Sequence, residues 1–276
     1  MENNQNYQKL LQNEINLLQN SGKKPKLLLH ACCGPCFTIP YEILKDTFDI
    51  TIIYNNSNIY PKEEHDRRLS ELKKYLSDID ANIKVIEFPY DNETYNLDLE
   101  PRKDDKEGHE RCRICFRKRL KQGFEYAYKN GFEYYGTVMT ISRYKNAKDI
   151  NKIGEELQKE YPTVKWLYAD FKKNDGYEKS LIIIKEHEMY FQEYCGCKYS
   201  YKAYSEKIAK QINDFIVMCV EQYASSMNMS SKEAYKRMRN LGLIDIISND
   251  YEDLHGMSTI FLNQYIDTFL NTHKND

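Results

Sequence analysis

No stretch of this sequence stays apolar for the roughly 18 residues that a membrane helix requires. Its opening, MENNQNYQKLLQNEINLLQNSGKK, has neither the apolar block nor the small-residue cleavage site of a signal peptide. These two absences predict a cytoplasmic protein with no membrane partner. Net charge is nearly absent as well: 40 Lys and Arg against 42 Asp and Glu leave -2. Bulk electrostatics therefore neither announces nor forbids a nucleic-acid partner, and any pull on phosphate must come from a local patch. The six histidines, at 30, 65, 109, 187, 255 and 273, form no metal-ligand spacing, and His30 reads as a packed core residue. There is no solenoid-like repeat and no long low-complexity tract.

What the sequence does have is cysteine. Eight thiols in a reducing compartment do not persist as disulfides, so clustering points to metal or redox chemistry. Cys32, Cys33 and Cys36 form C-C-G-P-C, Cys112 and Cys115 form C-R-I-C, and Cys195 and Cys197 form C-G-C. A C-x-x-C bite lets two sulfurs reach one metal or two corners of one cluster. Seven clustered thiols exceed the four that one zinc or one iron-sulfur cluster consumes, which leaves some for a second metal or for redox work. The remaining Cys219 sits inside the apolar run IVMCV and reads as a small hydrophobe in a core. A structural zinc half-site at 112 and 115 and a disulfide switch at 195 and 197 are the plainer readings of those pairs. Around C-R-I-C, the cations Arg111, Arg113, Arg117, Lys118, Arg119 and Lys121 fall in a stretch without a single acid, which makes them candidate tRNA-binding residues or a solvated helix face.

Hydrophobic residues at 41% and charged residues at 30% are globular values, and the length suits one α/β domain with a small partner. Helical spacing over residues 6–20 is followed by Gly22, a helix-ending residue. Apolar runs predict strands at 26–31, 49–54, 83–88, 134–140 and 164–168. Helices are expected from near Pro40, at 62–76, at 112–129 and at 146–160. This βα alternation implies a Rossmann-like parallel sheet whose ligands sit at the carboxyl ends of the strands, where C-C-G-P-C falls. From about Ser205 the pattern turns purely helical, giving expected domains at 1–204 and 205–276, the second a small all-α unit.

The stretches LLLHACCGPC, NIYPKEEHDRRLSE, ERCRICFRKRL, NAKDINKIGEEL, DFKKNDGY and YCGCKYS together resemble the QueH type of epoxyqueuosine reductase, which is cobalamin-independent. The resemblance spans roughly residues 7–204. It implies an α/β fold of the adenine-nucleotide α-hydrolase-like (HUP) type in which the phosphate-binding loop carries cysteines. It also implies a [4Fe-4S] cluster beside a mononuclear iron, an external electron donor (a protein or a small reductant), and reductive removal of the epoxide oxygen of epoxyqueuosine at the wobble position of tRNA. Because the family can carry Asp at the position of Cys36, the resemblance assigns Cys32, Cys36 and Cys197 to the single iron. Cys33, Cys112, Cys115 and Cys195 then go to the cluster. Asp91 and Tyr194 are candidate catalytic groups, with loop capping the plain alternative for Asp91. Ser57, Arg143 and Phe191 depart from the family pattern. The C-terminal stretch looks like a small helical domain of uncharacterised function.

Two other functions stay open on the residues alone. A zinc-stabilised nucleic-acid-binding module would be colourless. An ATP-dependent tRNA thiolase of related fold would need a glycine-rich phosphate nest, whereas C-C-G-P-C offers one glycine and a proline without an amide hydrogen.

Overall fold

The computed structural model describes residues 5–273. The chain divides into two compact units, one ending at Tyr201 and the other beginning at Lys202. In the first, strands β1 (Lys26–His30), β2 (Asp49–Tyr54), β3 (Val85–Glu87), β4 (Tyr134–Thr137) and β5 (Lys165–Trp166) form one sheet. Every pairing is parallel and the order is β3-β2-β1-β4-β5. The expected Rossmann-like α/β architecture is therefore what the chain adopts.

Alternation along β1 explains the layers. Leu27 and Leu29 point into one core, with Ile52 and Tyr54 of β2. Leu28 points into the other, with Ile53, Tyr135 and Trp166. Both faces are apolar, so both must be covered, and this is why β1 reads as a continuous hydrophobic run. Helices α1 (Tyr7–Ser21), α2 (Gly34–Leu44) and α3 (Lys62–Asp78) supply the first core, and α5 (Glu110–Lys129) and α6 (Ala147–Gln158) the second. Gly154 of α6 lies flat against the Trp166 ring, where any Cβ would collide. The first helix ends as its sequence suggests, with Gly22 left-handed at φ 64°.

Several boundaries differ from the sequence expectation, each for a local reason. Helix α2 begins at Gly34 rather than near Pro40, because the Cys33 thiol accepts the Cys36 amide at 3.4 Å and Pro35 occupies the first turn, where no amide hydrogen is needed. The C-C-G-P-C motif thus opens a helix instead of a loop. Strand β4 stops at Thr137, whose hydroxyl caps a 3-10 turn over Val138–Ile141. The polar stretch after β3 contains a short helix α4 (Asn92–Leu97), and α7 (Gly176–Glu186) forms where no element was expected.

The second unit is entirely helical. It takes up the rest of α8 (Lys198–Ser226), then α9 (Ser231–Asn240), α10 (Leu243–Asn249), α11 (Tyr251–Leu254) and α12 (Thr259–Thr272). Ser230 and Glu233 form a reciprocal capping box at the start of α9. Its core joins Phe215, Cys219, Tyr223, Met238, Ile247, Leu262 and Ile266. No helix among the described residues is long and apolar enough to cross a membrane.

Candidate metal centre

Strand β1 ends at His30 and the chain turns at once into Cys32 and Cys33. His30 is fully buried between the Thr137 hydroxyl, at 2.8 Å from Nδ1, and Asn56, at 3.1 Å from Nε2. Burial holds its pKa down to about 4, so it is a neutral packing residue that fixes the strand end. Just beyond it the Sγ atoms of Cys32 and Cys33 are 3.8 Å apart, and those of Cys32, Cys33 and Cys36 all lie within 4.8 Å of one another. Two sulfurs on one tetrahedral metal with bonds of about 2.3 Å are separated by about 3.8 Å. The trio is therefore close enough together for soft-metal ligation. Hydrogen bonding from Cys33 holds the Cys32 thiol well below its ordinary pKa, while burial pushes Cys33 up.

The C-G-C segment is clamped beside this trio. Arg68 of α3 is buried, bonds Glu64 at 2.6 Å one helical turn away, and donates to the carbonyls of Tyr194 at 3.1 Å and Cys195 at 3.2 Å. Gly196 between the two cysteines has φ 110°, and a Cβ there would stand 2.8 Å from the Arg68 guanidinium, so the motif needs glycine twice over. Its carbonyl accepts from the Tyr60 amide at 2.6 Å. Tyr190 completes the clamp, donating to Glu64 at 3.0 Å. Cys195 is held well below its usual pKa by the hydrogen bond from Cys197. The Ser200 amide and hydroxyl approach Cys197 at 3.4 and 3.3 Å.

The C-R-I-C pair opens α5. The Gly108 amide donates to Cys112 at 3.3 Å, and Cys115 accepts from the Tyr95 hydroxyl at 3.3 Å and from Arg119 at 3.5 Å. Cys112 is pushed up by burial, with further contributions from Cys195 and Cys115, so this pair and the C-G-C pair feel one another's charge.

A cavity of about 210 Å³ opens on Cys32, Cys36 and Cys195, with Arg68, Lys145, Gln192 and Tyr194 in its wall. Gln192 donates to Cys33 at 3.3 Å and to Cys36 at 3.6 Å. Two cations in this region lack a carboxylate partner among the described ion pairs. Arg119 is 2% exposed; burial opposes its charge, but Cys115, Tyr95, Cys195 and Cys32 outweigh that and raise its pKa. Lys145 behaves alike: burial is outweighed by Cys195, Cys32 and Cys36. A buried cation without an anion is costly, so Arg119 makes sense beside a group that keeps the thiols as thiolates, while the half-buried Lys145 shares the cavity wall with Glu107. The residues present fit a metal-thiolate assembly.

The sequence-derived site residues divide. Five thiols, Cys32, Cys33, Cys36, Cys115 and Cys195, lie in or against the same cluster of cations, and Cys112 and Cys197 are tied to it through Cys195. Tyr194 borders the cavity, but its hydroxyl donates to the Tyr60 carbonyl at 2.7 Å. Asp91 takes the capping role given above as its alternative: it is exposed, does not border the cavity, and caps α4 by accepting from the Thr94 amide at 3.0 Å, a bond that lowers its pKa. The basic stretch is divided between buried and ion-paired cations. Arg119 and Arg111 are buried, Arg111 donating to the carbonyls of Arg102, Lys103 and Asp105. Arg113 pairs with Glu110 and Asp149, Arg117 with Glu156, Lys118 with Asp98 and Lys121 with Glu160. The acids that neutralise these four come from outside the stretch, apart from Glu110 just before it, and so were invisible in its composition. Sequence reasoning missed Arg68, Lys145 and Gln192; the i,i+4 spacing of Glu64 and Arg68 fits an ordinary solvated helix pair, and only the structure shows that both are buried.

Residues 27–203 match the family described as Epoxyqueuosine reductase QueH. Residues 214–273 match a family of unknown function, DUF3791. The chain is 37% identical over 201 residues to the Epoxyqueuosine reductase QueH of Streptococcus pyogenes serotype M1, covering 71% of this chain and 78% of that one. It is 38% identical over 201 residues to the Staphylococcus aureus (strain Mu50) protein of the same name, covering 71% and 83%. The Acinetobacter baylyi protein of that name is 34% identical over 202 residues, covering 73% and 92%. With the thiols of C-C-G-P-C and C-G-C bordering one cavity at the carboxyl edge of the sheet, and likeness of this extent across the whole first unit, the chain belongs to the epoxyqueuosine reductase QueH family.

Proposed function

We propose that this chain is an epoxyqueuosine reductase that removes the epoxide oxygen of epoxyqueuosine at the wobble position of tRNA without cobalamin. Two electrons and two protons enter, both C–O bonds of the epoxide break, a carbon-carbon double bond forms and the oxygen leaves as water. The observation that carries this reading is the buried trio Cys32, Cys33 and Cys36 beside a cavity that Cys195 also borders, with Arg119 buried among thiols and Lys145 in the cavity wall. An iron-sulfur cluster would supply electrons singly, and an adjacent iron would act as a Lewis acid on the epoxide oxygen.

Within that reading Cys33, Cys112, Cys115 and Cys195 hold the [4Fe-4S] cluster, and Cys32, Cys36 and Cys197 hold the single iron. Cys32 and Cys33 are consecutive in the chain, which would bring the two groups side by side, as electron transfer between them needs. Lys145 and Arg119 offset the thiolate charge, and Arg68 fixes the C-G-C backbone. Tyr194 shapes the cavity wall. Electrons come from an external donor, a protein or a small reductant, and the setting is the cytoplasm. The first unit acts as the reductase domain and the second as an accessory helical domain.

Anaerobic purification tests this reading. A brown protein bleached by dithionite, which converts epoxyqueuosine in tRNA to a nucleoside lacking one oxygen, is expected. A colourless zinc protein with no turnover would refute it in favour of a zinc-stabilised binding module.

A further inference from the structure

The α5 ridge bearing the basic stretch is electrostatically quiet, since each of its exposed cations has an acid beside it. A second groove has fewer carboxylates in its wall. Cations Arg143, Lys145, Lys148, Lys172 and Lys173 line it, with Asp170 its one carboxylate. The groove on the α5 ridge, in contrast, has three carboxylates, Glu110, Asp149 and Glu156, among its lining. Asp170 is already bonded to Lys172 at 2.6 Å, and Arg143 pairs with Glu178 while stacking at 4.0 Å on Tyr177. Lys173 is exposed. The first turn of α6 also opens on the groove at Asn146, Ala147 and Lys148, adding the positive end of a helix.

The groove adjoins the thiol cavity, since Tyr144 and Lys145 line both. Tyr144 is 82% exposed, so a large aromatic face stands in solvent at the mouth of the cavity. A cationic groove that tracks phosphates, joined to an exposed aromatic ring, is the combination that binds single-stranded nucleic acid. Chemistry on a base also requires that base to leave its stack and enter a pocket.

We propose that this groove, and not the α5 ridge, holds the backbone of the RNA substrate, with Tyr144 stacking on a base at the entrance while the modified base enters the thiol cavity. The inference rests on the tRNA reading above and assigns its binding surface. Lys173 neutralises phosphate; Tyr144 positions the loop.

The test uses the full-length, anaerobically purified, iron-loaded protein with an unmodified tRNA anticodon-loop hairpin as probe, titrated across a salt series. Tyr144→Ala is expected to weaken binding on the order of tenfold, and Lys173→Gln to reduce the log-log salt slope by about 0.7 to 0.9. Both side chains are exposed, so the iron-sulfur absorbance is expected to stay at the wild-type level and reports intact folding. Arg117→Gln with Lys121→Gln is expected to bind within about twofold of wild type, since those cations are already neutralised. Wild-type affinity and slope in both groove variants, or loss of binding only in the ridge variant, would overturn the proposal. So would unchanged RNA binding with turnover lost only when a protein donor replaces dithionite, which would give the groove to an acidic protein. If the wild-type protein itself binds no hairpin, it is the tRNA reading that fails.

Discussion

Cysteine is buried in both units of this chain, in two different ways. Cys219 sits in the second unit among Phe215, Val220 and Tyr223 with no charged neighbour shifting it, and burial alone pushes its pKa up to about 11. Among the clustered thiols of the first unit Cys32 and Cys195 are driven the other way, chiefly by hydrogen bonds from neighbouring thiols and further by Lys145, while Cys33, Cys36, Cys112 and Cys197 are pushed up. Burial by itself makes a thiol inert. Burial beside cations and beside other thiols prepares it to ligate metal.

The largest test of this contrast is substitution of the thiols. Cys112→Ser is expected to abolish epoxide reduction, by at least about a thousandfold, and to lower iron content, because a hydroxyl is a poor ligand for a soft metal. Cys219→Ser is expected to keep turnover within about twofold while costing on the order of 1 kcal/mol of stability for a buried hydroxyl. Metal analysis and turnover on both variants decide the matter; full activity in Cys112→Ser would remove Cys112 from the metal site.

A smaller effect is expected at the cations. Arg119→Met keeps the stem and removes the charge, so an anionic cluster loses compensation and its reduction potential should fall by on the order of 100 mV. Redox titration followed by electron paramagnetic resonance measures this. An unchanged potential would mean that Arg119 only fills space.

The smallest effect is expected from removing the second unit. Truncation after Lys210 spares Ser200, whose amide and hydroxyl meet Cys197, and every clustered thiol. Iron content is expected to remain and turnover to persist at least in part. Loss of iron on truncation would make the two units one functional fold and erase the contrast.

Sequence alone determined the alternation of strands and helices, the shift to helices after the C-G-C motif, and the three thiol groups that carry the chemistry. These are local signals: apolar periodicity, turn residues and ligand spacing act over a few residues. Tertiary structure decided what surrounds the thiols. Lys145 and Arg119 look like any surface cation in the sequence, and Glu64 and Arg68 like one more solvated pair on a charged helix. Packing between elements far apart in the chain buries Glu64, Arg68 and Arg119 and brings Lys145 to the cavity wall. The reverse holds for Arg113, Arg117, Lys118 and Lys121, which look like a patch until Asp149, Glu156, Asp98 and Glu160 fold back onto them. Composition fixes which charges a chain owns. Only the fold fixes which of them stand next to one another, because Coulomb energy depends on distance in space and the sequence records distance along the chain.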